Sequence, residues 1–142
     1  MKRVTILTAC FLVLVPLANI FSYSPNLPAT AAAKKAVIEN NLIKALESNN
    51  EGLTQSAVYY LGEYKSNKAV IPLMKLLHSD CCEGLRIMAA LSLTKIGTAK
   101  GLFAVKQSGV FDHSESVRKF CNQFYFSVKE KELGSDENIS AK

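Results

Sequence analysis

The sequence repeats its pattern of apolar and small residues every 32 residues, and this spacing limits the possible folds more than any other feature. Shifted by 32, a first set of positions falls on a second: Glu51, Gly52, Leu53, Ala57, Leu61 and Tyr64 on Glu83, Gly84, Leu85, Ala89, Leu93 and Ile96. A second shift gives Glu115, Val117, Arg118, Cys121, Tyr125 and Val128. One unit of this size cannot bury its own apolar stripe, so three units predict a stacked array.

Each repeat has a long amphipathic segment that predicts a helix, at 51–64, 83–96 and 115–132. Each segment follows a box in which a short polar residue precedes glutamate by three positions, a pattern typical of helix starts. The polar residues of the boxes are Ser48, Asp80 and Asp112. Gly97 and Gly134 suit the ends of the last two helices. Segments 31–47, 70–77 and 102–105 supply the first helix of each repeat, so we expect an all-α fold of six helices in three hairpins.

The second repeat resembles a known family. Residues 85–97, LRIMAALSLTKIG, resemble the second helix of a HEAT repeat, and residues 69–77, AVIPLMKLL, resemble the first, with a proline near its start. The unit is similar to the short bacterial type also found in phycobilisome lyase-like proteins. This resemblance covers about residues 35–130 and implies an α-α superhelix, or solenoid, of about three HEAT-like helical hairpins. Thr54 departs from it, because Arg86 and Arg118 occupy the equivalent positions.

The amino terminus has the residue order of an export signal. Lys2 and Arg3 precede an apolar run over 4–21, and an A-x-A site follows at 29–31. The sequence therefore predicts a signal peptide at 1–31, a HEAT-like domain at 32–133, a disordered tail at 134–142, and a periplasmic or secreted protein. The alternative is an uncleaved membrane anchor, because about 18 apolar residues just suffice to span a bilayer.

Motifs for catalysis or cofactor binding are missing from the sequence. The chain has no Gly-rich phosphate loop, H-E-x-x-H, C-x-x-C or G-x-S-x-G. His78, Cys81, Cys82 and His113 fall near one edge of the predicted stack. Neighbouring repeats, however, lie about 10 Å apart, whereas metal–ligand bonds measure about 2 Å. We therefore expect no metal, no cofactor, no catalytic residue and no enzymatic activity.

The net charge bears on whether the partner is a nucleic acid. Without residues 1–31 the chain keeps 15 of its 17 lysines and arginines and all 12 acidic residues, so its net charge is +3. This small excess does not favour a nucleic-acid partner.

Two sets of residues are candidates for contacts. Asp80 and Asp112 each stand six residues before an arginine, Arg86 or Arg118, which favours a ladder of ion pairs between adjacent repeats. Contact of these arginines with a ligand along the groove is the alternative.

The helical wheel supplies the second set. The positions opposite the core of the second helices are Gln55, Tyr59 and Gly62, then Ile87, Leu91 and Thr94, then Lys119, Gln123 and Phe126. Tyr59, Ile87 and Leu91 are apolar at these positions, and Gln123 is the equivalent of Tyr59 and Leu91 in the third repeat. They predict a partner-binding patch, unless a curled amino-terminal segment covers it.

These observations favour an exported, non-catalytic and monomeric interaction module that binds a protein or peptide on the surface lined by the second helices. One alternative, implied by the lyase-like relatives, is an accessory subunit of an enzyme. Another is a membrane-tethered scaffold, if the amino-terminal segment is retained.

The cysteines are predicted to differ in accessibility. Cys121 is equivalent to Ala57 and Ala89 in the core stripe, so we expect a buried free thiol. Cys81 and Cys82 fall in the loop before the second helix of their repeat and are expected to be exposed and more reactive.

Overall fold

The computed structural model describes residues 30–140, with side chains described for residues 30–132. The predicted signal peptide or anchor, except its last two residues, lies outside this range. The elements are α1 (Ala31–Ala45), α2 (Glu51–Glu63), a 3-10 turn (Asn67–Ala69), α3 (Val70–Leu77), α4 (Glu83–Ile96), α5 (Ala99–Phe111) and α6 (Glu115–Ser140). The described part of the chain contains no strand. The predicted all-α fold of six helices is confirmed.

Helices α2 and α6 begin at the predicted glutamates, but the capping residue is not the predicted one. Asn50 caps α2 by accepting a hydrogen bond from the Leu53 N–H at 3.1 Å. The Ser114 hydroxyl oxygen accepts from the Val117 N–H at 3.3 Å at the start of α6. In both helices the glutamate is the first helical residue rather than the third, so the cap lies directly before it.

The predicted caps instead hold the loops before the helices. The Ser48 Oγ accepts from the Asn50 N–H at 3.1 Å, and the Asp112 Oδ1 accepts from the Ser114 N–H at 2.9 Å. These two bonds are equivalent in the repeat and fix the chain as it enters α2 and α6. At α4 the cap position is Cys82, which makes no side-chain capping bond.

Glycine ends one of the two helices for which it was predicted to do so. Gly97 caps α4 in the left-handed conformation, with φ of 76°. The prediction that Gly134 ends the last helix is wrong, because α6 continues to Ser140. Glycine permits a left-handed end but does not impose one.

Helix α4 lies at the centre of the packing, in contact with α2, α3, α5 and α6. In addition α1 packs on α2, α3 packs on α5, and α5 packs on α6. The repeat-equivalent residues Ala57, Ala89 and Cys121 are all fully buried, as the 32-residue register predicts. Their small side chains let neighbouring helices approach closely while larger residues such as Leu93 fill the core.

Two glycines mark points where helices nearly touch. A Cβ atom at Gly62 would lie 2.8 Å from the Ser92 Oγ, and Ser92 donates a 2.8 Å hydrogen bond to the Val58 carbonyl. A Cβ atom at Gly109 would lie 2.4 Å from the Asn122 Oδ1, and Asn122 Nδ2 donates to the Gly109 carbonyl at 2.8 Å. The predicted exposure of Gly62 is therefore wrong, because α4 covers it.

Candidate functional site

Four exposed side chains of α2, α4 and α6 define what we call the second-helix face: Tyr59, Leu91, Gln123 and Phe126. The exposed fractions of Tyr59 and Leu91 are 48% and 36%, and that of Phe126 is 59%. Gln123 is also exposed. These side chains come from three helices, and the middle one, α4, packs against both α2 and α6.

The structure places Ile87 differently from Leu91, although both were predicted to be exposed. Ile87 is half-buried and packs against the hydrophobic core. The two positions are four residues apart, so a helix that is tilted against its neighbours covers one more than the other. Gln55 and Thr94 are half-buried too, whereas Lys119 is exposed.

Lys95 and Glu63 order the environment of Tyr59. The Lys95 Nζ lies 5.1 Å from the centre of the Tyr59 ring and forms an ion pair with Glu63. The Tyr60 ring stands edge-on to Tyr59 with their centres 5.3 Å apart. A cation over its face and an aromatic neighbour restrict the Tyr59 ring, so a partner would meet a partly ordered side chain.

Of the predicted ladder, the structure brings together Arg86 and Asp112. The Arg86 Nη1 donates to the Asp112 Oδ2 at 3.1 Å, and the two side chains are only 2% and 5% exposed. The same Nη1 lies 3.2 Å from the Nδ1 of His113. This pair joins α4 to the loop before α6, one repeat further along the chain.

The other two members of the predicted ladder are placed differently. The Arg118 Nη1 donates to the backbone carbonyl of Asp112 at 2.7 Å. Asp80 makes no ion pair with any side chain that the structure describes. By the pattern of Arg86 with Asp112, the partner of Asp80 would be an arginine at position 54, in the first repeat. That position holds Thr54, whose hydroxyl group lies within hydrogen-bonding distance of three carbonyls: Ala45, Ser48 and Asn50.

A polar cavity of about 290 Å³ lies beside the Arg86–Asp112 pair. Its wall includes His78, Asp80, Ser108 and Phe111. Within residues 30–132 the Nε and Nη2 of Arg86 have no hydrogen-bond partner, although both atoms are buried. The charged side chains of its wall are one arginine, Arg86, and two carboxylates, Asp80 and Asp112. This balance of charge does not select an anionic ligand.

His78 and Ser108 are the only pair in this cavity with a spacing that invites a catalytic interpretation. The His78 Nδ1 lies 2.8 Å from the Met74 carbonyl, so it carries the proton and leaves Nε2 as an acceptor. The Ser108 Oγ lies 3.5 Å from that Nε2 and is buried inside α5. This distance exceeds that of a nucleophile and base in contact, and a structural hydrogen bond accounts for it. No group of three or more metal-ligating side chains occurs among the described residues.

The three cysteines of the described region are free thiols with different surroundings. Cys121 is fully buried, and the pKa of its thiol is raised from 9.0 to about 11. Burial is the largest cause of this rise, the Asp112 carboxylate contributes to it, and Arg86 opposes it. Cys82 is exposed, with its Sγ 3.4 Å from the Glu51 Oε1, and Cys81 is half-buried.

Sequence reasoning missed a second exposed surface, on the first helices. We call it the first-helix face and define it by Lys68 and Ile71 before and on α3, and Lys100, Phe103, Lys106, Val110 and Phe111 on α5. Its signal was visible in the repeat, because Lys68 and Ile71 stand 32 residues before Lys100 and Phe103.

Between residues 30 and 140 no helix combines the length and apolar character needed to cross a bilayer. No family model, curated protein or solved structure matches this chain.

Proposed function

We propose that the chain is a non-catalytic helical-repeat module, a HEAT-like solenoid, that binds a protein or peptide partner on the second-helix face. The observation that carries this proposal is the exposure of the repeat-equivalent Tyr59 and Leu91, and of Phe126 three residues after their equivalent in the third repeat. Large apolar side chains at repeat-equivalent or neighbouring positions give a continuous contact surface rather than scattered exposure.

The packing of the helices supports the solenoid part of this proposal. In a stack of hairpins each second helix contacts the second helix of the next repeat, and α2–α4 and α4–α6 do so. First helices also meet, as α3 and α5 do. Such a stack presents an extended face made of one helix from each repeat, which suits an extended peptide or the surface of another protein.

The composition of the second-helix face favours a polypeptide as partner. Tyrosine and phenylalanine supply large contact areas with few rotatable bonds, and such residues dominate the energetics of protein interfaces. Gln123 offers both a donor and an acceptor for a backbone amide. The ordered ring of Tyr59 reduces the entropy lost on binding.

The experiment is site-specific photocrosslinking in cells that produce the full chain. A photoreactive residue replaces Leu91 on the second-helix face or, as a control of similar exposure, Ile71 on α3, their exposed fractions being 36% and 43%. We expect a discrete polypeptide adduct from position 91 and none from position 71.

A further variant checks the chemistry of the contact. Tyr59→Ala in the position-91 background should reduce the adduct about tenfold, because truncating an aromatic anchor typically costs more than about 1 kcal/mol of binding free energy. Val37→Ala on α1, an apolar side chain that is 59% exposed and lies away from the second helices, serves as its control. The proposal is refuted if position 91 yields no adduct, or if positions 91 and 71 yield the same one.

A further inference from the structure

Charge is distributed unevenly between the two sets of helices. Helices α1, α3 and α5, with the 3-10 turn that leads into α3, carry seven lysines and a single acidic residue, Glu39. The lysines are Lys34, Lys35, Lys44, Lys68, Lys75, Lys100 and Lys106, all exposed. The other acidic residues of the described region lie on the second helices or in loops. The first helices are therefore strongly basic although the whole chain is only moderately so.

The same helices expose large apolar side chains among these lysines. On α5 the exposed fractions of Phe103, Val110 and Phe111 are 60%, 57% and 77%, and Ile71 on α3 is 43% exposed. The 3-10 turn and α3 place Lys68 and Ile71 three residues apart, and α5 repeats the spacing with Lys100 and Phe103. Because α3 and α5 pack together, the two pairs belong to adjacent helices.

We propose that the first-helix face docks on the surface of a membrane that contains anionic lipids. Its lysines would lie at the level of the lipid headgroups, and Phe103, Val110 and Phe111 would enter the boundary between headgroups and acyl chains. Basic residues combined with protruding phenylalanine are the features by which amphipathic protein surfaces bind bilayers without crossing them.

Two features favour lipid over nucleic acid or an acidic protein as the occupant. First, every cation of this face is lysine, whereas the forked guanidinium of arginine is preferred for recognising phosphates in nucleic acids and carboxylates in proteins. Lysine instead extends its apolar stem along a bilayer while its ammonium group reaches the headgroups. Second, the adjacent Val110 and Phe111 both protrude, although an aliphatic side chain gains nothing from a phosphate backbone.

The expected binding follows from the charge of the face. Each lysine near an anionic bilayer strengthens binding about fivefold. Exchanging two lysines for glutamate reverses two charges, so it should weaken binding by at least about 25-fold. About 0.5 M salt shortens the screening distance to a few ångströms and should weaken binding in the same way.

The test uses tryptophan fluorescence, because the natural chain contains no tryptophan. Phe103→Trp places a single reporter on the first-helix face. Tyr59→Trp places one on α2, which packs against α1 and α4. Each full-length variant is mixed with vesicles of phosphatidylcholine containing about one third phosphatidylglycerol, with or without bromine on the acyl chains as a quencher.

We expect the emission of Trp at position 103 to shift to shorter wavelength and to be quenched by the brominated lipid, while Trp at position 59 shows neither change. This comparison distinguishes docking of the face from simple attachment through the apolar run at residues 4–21. Such attachment alone would leave both reporters equally unquenched, and that result would overturn the proposal. Equal quenching of both reporters would overturn it too.

Charge variants in the Phe103→Trp background complete the test. Lys100→Glu with Lys106→Glu should abolish quenching, whereas Lys119→Glu with Lys131→Glu on α6 changes the net charge equally and should leave it intact. Circular dichroism checks that both variants are folded, and the comparison is made between folded variants. The proposal is also overturned if the position-103 reporter responds to a single-stranded oligonucleotide or an acidic peptide but not to the vesicles.

Discussion

The buried pair of Arg86 and Asp112 allows a sharp prediction. Removing Asp112 leaves a buried guanidinium without its partner, whereas removing Arg86 leaves a buried carboxylate. We consider three variants: Arg86→Met, Asp112→Ala, and the two changes combined. Methionine is chosen because it fills much of the space of the arginine stem without carrying a charge.

The magnitudes follow from the hydrogen bonds of each group. Removing one partner of a buried ion pair costs about 3–5 kcal/mol of the free energy of unfolding. Asp112→Ala strands a guanidinium that is 2% exposed and whose Nε and Nη2 already have no hydrogen-bond partner among the described residues, and it also removes the acceptor of the Ser114 N–H. We therefore expect a loss near the upper limit, about 5 kcal/mol.

Arg86→Met should cost less, for two reasons. The Asp112 carboxylate keeps the Ser114 N–H as a donor. The variant also removes the two unpartnered nitrogens of Arg86, each of which costs about 1 kcal/mol or more in the native protein. We expect a net loss of about 2 kcal/mol, and a similar loss in the double variant, which strands no charge.

Urea unfolding followed by circular dichroism measures these differences. A gap of about 3 kcal/mol between the single variants corresponds to roughly 15 °C in Tm for a domain of this size. If Asp112→Ala does not fold at all, Asp112→Asn, which keeps an oxygen for the Ser114 N–H, takes its place and should still be less stable than Arg86→Met. The reasoning is refuted if Arg86→Met is the less stable of the two.

Three further predictions concern packing, the second-helix face and pH. Gly62→Ala should lower the free energy of unfolding by about 2 kcal/mol, since overpacking outweighs the gain in helix propensity. Gly84→Ala should not lower it, because no atom lies within 4 Å of the new Cβ. Thermal unfolding compares the two variants. Leu91→Glu should change stability by less than about 0.5 kcal/mol and Leu93→Glu should unfold the protein, which circular dichroism detects; a Leu91→Glu chain that fails to fold would contradict the assigned exposure. Because the folded-state pKa of Cys121 is about 11 against an ordinary 9.0, the stability due to its protonated thiol is complete below pH 9 and is lost as pH rises toward 11; urea midpoints of Cys121→Ala should fall less over this interval than those of the native chain.

The positions of the helices and of the innermost residues could be predicted from the sequence. The register of 32 residues identified Ala57, Ala89 and Cys121 as core positions, because burial on one stripe of a helix is a periodic property. It also located the first residues of α2, α4 and α6. Periodicity does not show which side chain faces an orphan backbone N–H, so the caps Asn50 and Ser114 were missed.

The surfaces were harder to predict, because exposure depends on how closely neighbouring helices approach. The helical wheel treats Gly62 and Leu91 alike, but Ser92 of α4 covers the first and nothing covers the second to the same extent. The predicted contact residues all came from the second helices, so the repeat-equivalent lysines Lys68 and Lys100 of the first-helix face were missed. The sequence expectation of membrane contact only through the amino-terminal segment thus differs from the docking that the first-helix face supports.

The two close crossings described above have a mechanical consequence. At Gly62 and at Gly109 a side-chain hydrogen bond spans two helices whose backbones nearly touch, so sliding one helix along the other would break the bond and create a clash. Helices α2 and α4 are thus fixed against shear, as are α5 and α6. The two locked pairs meet where α4 packs on α5 and α6, and the buried Arg86–Asp112 ion pair crosses that contact. Under load the binding face should therefore bend between α4 and α6, and the bend should strain this ion pair first.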